Sequence, residues 1–161
     1  GIPVVSNKGN VTEYVCREWV DEVMLNLPEA EILSGRKIGG EEDFADVARA
    51  ISNGGKVSVF LKAGHLQSET LVDYLYNAED GTMTLHPSKR FHTENTHGTG
   101  CTLSSAFAAA LARGEDLTCA AKSAKAYIGQ AIISGAEYEI GGGYGPVDHF
   151  FCLRAFGDTA L

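Results

Sequence analysis

No C-x-x-C pair occurs in this chain, although it carries four cysteines, Cys16, Cys101, Cys119 and Cys152. Their wide spacing removes the usual zinc-site patterns and argues against a disulfide framework in a chain of 161 residues. The five histidines show no metal-ligand spacing either. A P-loop is excluded, because no G-x-x-x-x-G-K-[ST] is present. No apolar run approaches the ~20 residues that span a bilayer. The opening GIPVVSNKGN lacks the basic and apolar regions of a signal peptide. With free thiols and no leader, a cytoplasmic protein is expected. Positive charge is in deficit, with 13 Lys and Arg against 21 Asp and Glu, a net charge of -8. That balance argues against nucleic acid or an anionic membrane as a partner. Phosphate ligands remain compatible, since backbone N–H groups and magnesium neutralise them locally.

What is present is an ordinary globular composition, 44% apolar and 21% charged. The length predicts one domain over residues 1–161. Short apolar runs at 2–5 and 22–25 read as strands, with a helical stretch at 12–19 between them. Pro28 suits a first helical turn, and Ser34-Gly35 stops that helix. A helix over 41–52 places Phe44, Val47, Ala48 and Ile51 on one face. The continuous apolar run 57–61 is that of a central parallel strand. Runs at 71–76 and 82–85 flank Asp80-Gly81 and predict a hairpin, with His86 and His92 on its surface. Helices at 103–113 and 117–134 follow, and a glycine-rich tail closes on His149-Phe150. Alternating strands and helices make the class α/β with a mostly parallel sheet.

Three polar groups stand at predicted strand ends: Asn26 with Glu29, Lys62 to His65, and Gly98 to Cys101. Ligands in such sheets lie beyond the carboxyl ends of the strands, so all three are expected at one crevice. Gly98-Thr99-Gly100 feeding a helix offers N–H groups and a positive dipole end to an anion. Cys101, in the first turn, then stands where a general base for a hydroxyl is needed. The alternative is a tight turn with a small packed cysteine. Asn26 and Glu29 read either as a helix cap with a dipole-favoured carboxylate or as a magnesium-side pair. Lys62, ending a buried apolar run, suits the neutralisation of nucleotide phosphates. His65, His97 and His149 sit beside glycine turns and are candidates to line a cleft.

The run Asn95-Thr96-His97-Gly98-Thr99-Gly100-Cys101-Thr102-Leu103-Ser104-Ser105-Ala106 closely resembles the signature of the hydroxymethylpyrimidine and phosphomethylpyrimidine kinases of thiamine biosynthesis, members of the ribokinase-like superfamily. Asn26-Leu27-Pro28-Glu29-Ala30-Glu31 and Leu61-Lys62-Ala63-Gly64-His65 are similar to two further elements of that family, with Ala63 in place of a glycine. Gly143-Tyr144-Gly145-Pro146-Val147-Asp148-His149-Phe150 resembles its C-terminal run, with Tyr144 and Asp148 as departures. The resemblance implies a three-layer αβα ribokinase-like fold with a mostly parallel central sheet. It implies ATP- and Mg2+-dependent phosphorylation of 4-amino-5-hydroxymethyl-2-methylpyrimidine and then of its monophosphate. Gly98, Thr99 and Gly100 would form the anion hole and Cys101 would be the base. Lys62 and Gly64 would contact ATP, and Asn26 and Glu29 would organise magnesium and phosphate, Glu29 as the metal-side ligand.

The family's N-terminal portion, with most of the pyrimidine-binding residues, has no counterpart here. The chain is therefore expected to be the C-terminal, ATP-side portion of a kinase truncated at the N-terminus, whose intact parent is a homo-oligomer. Two alternatives stay open: a catalytically incomplete nucleotide- or phosphate-binding or interaction module, and a pyridoxal kinase-like activity.

Overall fold

Apolar alternation and glycine stops set most element boundaries in the computed structural model, which describes residues 22–62 and 69–153. The expected strand at 2–5 and helix at 12–19, and Cys16, Gly64 and His65 with them, lie outside the described residues. The chain divides into two compact units, Gly1–Pro87 and Ser88–Leu161.

In the first unit β1 (Glu22–Asn26) leads directly into α1 (Leu27–Ser34), which has proline in its first turn as expected. A 3-10 turn (Glu41–Asp43) precedes α2 (Phe44–Ile51), followed by β2 (Ser58–Lys62), β3 (Thr70–Tyr76) and β4 (Met83–Lys89). The strands form one sheet in the order β1-β2-β3-β4. β1 and β2 run parallel, with Asn26 paired to Lys62 at their carboxyl ends, whereas β2 and β3 run antiparallel. Parallel pairing is thus less extensive among the described strands than the sequence suggests, because the hairpin belongs to the same sheet.

β2 is buried along Ser58 to Leu61, as befits a strand covered on both faces. Val59 and Leu61 join Leu25, Phe44 and Val47 in the main core, where α1 and α2 cover one side of the sheet. Burying each such side chain contributes roughly 1.5–3 kcal/mol. The predicted face of α2 is correct, but the helix begins at Phe44 rather than 41. Asp43 N–H turns back to Gly40 O at 3.2 Å in the 3-10 pattern, and Tyr74 donates its hydroxyl to Glu41 Oε2 at 2.8 Å. Burial and that carboxylate push the Tyr74 phenol up to about 12.

The hairpin departs from expectation in its second strand. β4 continues through Pro87 to Lys89 and ends the order of the described strands, a position where proline is tolerated. His86 is buried at 4% exposure, with its ring 5.9 Å from that of Phe60, while Leu85 is exposed. Thr84 Oγ1, on the same face, lies 3.0 Å from His86 Nε2 and serves the ring nitrogen. His92 is exposed, as expected.

The second unit is built on α3 (Thr99–Ala112) and α4 (Leu117–Gly135). Leu103, Phe107 and Ala110 of α3 are buried, as are Ala120, Ala121, Ala124, Ile128 and Ala131 of α4. α3 starts at Thr99, four residues before the alanine-rich stretch that suggested it, so the glycine motif forms its first turn. α4 is capped by Asp116, whose Oδ1 accepts from Cys119 N–H at 2.8 Å.

Candidate active site

At the carboxyl ends of β1 and β2 the first unit assembles Asn26, Glu29 and Lys62. Asn26 is the N-cap of α1: its Oδ1 accepts from Glu29 N–H at 2.9 Å, and its own N–H donates to Glu29 Oε2 at 2.8 Å. This is a complete capping box. The structural alternative for the pair is therefore realised, and one oxygen of Glu29 is committed to it. Lys62, the register partner of Asn26, is half-buried at the end of β2. The strand-end arrangement thus brings three of the predicted residues into one neighbourhood.

The second unit holds the glycine motif. Gly98 is the N-cap of α3 with φ 86°, a left-handed conformation that glycine adopts without steric cost. No side chain caps this helix start. Thr99 directs both its N–H (3.3 Å) and its hydroxyl (2.6 Å) at Thr96 O, and Thr102 N–H reaches Gly98 O at 2.9 Å. Of the three residues expected to form the anion hole, Thr99 has its N–H engaged by Thr96 O, while the N–H groups of Gly98 and Gly100, with that of Cys101, have no acceptor among the described residues. Unpaired amides at the positive end of a fourteen-residue helix suit an anion.

Cys101 is exposed, with a free thiol. It lines a groove of about 540 Å³ together with Thr102, Ser105, Ala106, Arg113, Tyr127 and His149, among others. Thr102 Oγ1 lies 2.9 Å from His149 Nε2, and Tyr127 donates its hydroxyl to His149 O at 2.8 Å. His149 is therefore fixed at ring and backbone beside the first turn of α3. His97 is exposed and bridges through its backbone to Pro146.

The chain can be compared with known proteins on these features. The profile of the phosphomethylpyrimidine kinase family matches residues 16–148, which include Asn26, Lys62 and the whole glycine motif. The chain belongs to this family. It is 44% identical to a hydroxymethylpyrimidine/phosphomethylpyrimidine kinase of Rhizobium meliloti over 126 residues, 78% of this chain and 47% of that protein. Its identity to the enzyme of the same description from Haemophilus influenzae is 41%, over 83% of this chain and 50% of that protein. Among solved structures, pyridoxal kinase of Staphylococcus aureus in complex with AMP-PCP superposes with a TM-score of 0.75 at 33% identity, covering 84% of this chain and 49% of that one. The α/β, ribokinase-like fold class expected from the motifs is therefore correct. The chain spans about half the length of the curated relatives it matches.

Magnesium is the cation the family resemblance implies. Among the described residues no three His, Cys, Asp or Glu side chains converge as a metal cage. Glu29 supplies a hard oxygen donor beyond the one engaged in the cap. This donor set fits magnesium in its usual form, held by one or two carboxylates, waters and substrate phosphates. No helix of the described residues is long and apolar enough to cross a membrane.

Two structural partners were not foreseen. Thr102 carries no motif signature beyond its place after Cys101, yet it holds His149. Asn95 stands out in the sequence only as the first residue of the glycine run, yet it is a buried hydrogen-bonding hub. An asparagine just before a glycine turn is the one available signal, and it is weak.

Proposed function

We propose that this chain is the C-terminal, ATP-side portion of a cytoplasmic, homo-oligomeric kinase that phosphorylates 4-amino-5-hydroxymethyl-2-methylpyrimidine and then its monophosphate, using ATP and magnesium. The open start of α3, with Gly100 and Cys101 N–H unpaired, is the observation that carries the reading. Phosphoryl transfer needs preorganised donors where charge develops, and these amides supply them. Cys101 accepts the proton of the attacking hydroxyl as the oxygen–phosphorus bond forms and the bond to the leaving nucleotide breaks. Gly98 shapes the turn and Thr99 braces it through Thr96. Lys62 and Gly64 contact the nucleotide phosphates. Asn26 orders the start of α1 so that Glu29 presents a carboxylate to magnesium or its waters. Bound magnesium offsets phosphate charge.

A second reading is nucleotide or phosphate binding without turnover, for which the unpaired N–H groups at the start of α3 would suffice. Calorimetric titration with magnesium-ATP and a coupled kinase assay on one preparation separate the two, with pyridoxal as the competing acceptor. In the intact gene product Cys101→Ala is expected to keep nucleotide binding and lose about 10²–10⁴ in turnover, the usual worth of a general base. Unchanged turnover would remove Cys101 from the role of base.

A further inference from the structure

The turn at Gly98 is held from behind by Asn95, which is 8% exposed. Its Nδ2 donates to Gly135 O and Tyr138 O, each at 2.8 Å, with Ala136 O at 3.2 Å. These carbonyls lie at the end of α4, where intrahelical donors run out. Two residues later His97 N–H donates to Gly145 O at 3.0 Å, and Val147 N–H returns to His97 O at 3.4 Å. Asp148 completes the tie: its N–H donates to Ala131 O at 2.9 Å, and its Oδ2 accepts from the Ser134 hydroxyl at 2.8 Å.

Both glycines in this region are there for close approach. A Cβ on Gly135 would lie 2.8 Å from Asp148 N and 3.1 Å from Pro146 O. One on Gly145 would collide with the Asn95 side-chain oxygen. Three segments thus meet with no spare volume: 95–97, the end of α4, and 145–148. One exit from the junction leads to Gly98 and the other to His149.

We propose that Asn95 is a positioning residue for the anion site, fixing the direction of Gly100 and Cys101 N–H by tying the residues before Gly98 to the end of α4. The inference rests on the phosphotransfer reading above. Asn95 acts through the backbone and needs no contact with substrate.

The test compares wild type, Asn95→Ala, Asn95→Ser and Ile128→Ala in the intact gene product, below the melting temperature of each. The readouts are magnesium-ADP affinity by calorimetry, KM for ATP, and kcat. Ile128, in the α4 core at 6% exposure, gives a loss of stability away from the junction. Asn95→Ala is expected to weaken ADP binding about tenfold and lower kcat about a hundredfold, the effect of misplacing reacting groups by about an ångström. Ile128→Ala is expected to change neither. Asn95→Ser retains a donor hydroxyl, should fall between, and decides the matter if Asn95→Ala does not fold. Equal effects of the Asn95 and Ile128 variants would make Asn95 a structural residue only and overturn the proposal. Unchanged affinity and kcat in a folded Asn95 variant would do the same. Wild-type protein that neither binds magnesium-ADP nor turns over would overturn the kinase reading, and this inference with it.

Discussion

α3 and α4 each carry a cysteine as their third residue, Cys101 and Cys119, and differ in what stands three places earlier. Before Cys119 is Asp116, whose carboxylate accepts the cysteine N–H and closes the helix start. That carboxylate also pushes the Cys119 thiol up, by its hydrogen bond first and its charge second. Before Cys101 is Gly98, which has no side chain to offer, and the N–H groups of Gly100 and Cys101 stay open. The same residue type at the same helical position thus has its N–H closed by a side chain in one helix and left open in the other. The difference lies in the cap, and the cysteine alone would not have revealed it.

Closing the open start should have the largest effect. Gly98→Asp sets a carboxylate three residues before Cys101, as Asp116 stands before Cys119. A Cβ at Gly98 meets no atom within 4 Å, so the steric cost is confined to the positive φ, about 1–2 kcal/mol. Magnesium-ADP affinity, measured by calorimetry, is expected to fall at least about tenfold, since anion and carboxylate then compete for one pole. The mirror change, Asp116→Gly, should leave that affinity untouched. If opening α4 created a second nucleotide site of similar strength, an open helix start would be sufficient in itself and the rest of the motif superfluous.

α1 extends the comparison, because its start is closed by a box that the family resemblance also places at the magnesium. Glu29→Gln separates the roles. Glutamine can still accept from Asn26 N–H, so the melting temperature should change little. The loss of charge should raise the magnesium concentration needed for half-maximal turnover. Asn26→Ala instead removes the cap and is expected to cost about 1 kcal/mol in a denaturant titration. A Glu29→Gln protein with an unaltered magnesium requirement would confine Glu29 to the cap.

Local chemistry made much of this legible. Asn26-Leu27-Pro28-Glu29 announces a cap, a first-turn proline and a carboxylate within four residues, and the structure follows it closely. The buried run of β2 and the apolar face of α2 are read equally well from periodicity. What stayed hidden depends on partners distant in sequence. Leu85 and His86 exchange the sides that hydropathy would assign, because Phe60 and Thr84 make a place for the ring. At α3 only the exact start was obscured: Cys101 falls in the first turn as expected, and Gly100, a poor helix former, belongs to the helix too. Asn95 is buried by bonds to residues about forty positions away, and no local pattern encodes that.

The smallest effect belongs to the closed start of α4. The Asp116 carboxyl lies below its ordinary value of 3.8, held there first by Cys119 N–H and then by the Cys119 thiol. A carboxylate depressed in the folded state stabilises it fully above the unfolded value, and that contribution disappears as pH falls through the lower folded one. Asp116→Asn keeps a good cap without the titration. Melting curves of the two proteins should therefore run close together near neutrality, and the wild type should lose more stability as pH drops below about 4. The same variant removes the charge that opposes the Cys119 thiolate, so alkylation of Cys119 at mildly alkaline pH should speed up while that of Cys101 is unchanged. An unchanged Cys119 rate would mean that the cap governs only the backbone of α4, leaving the contrast between the two cysteines to their N–H groups alone.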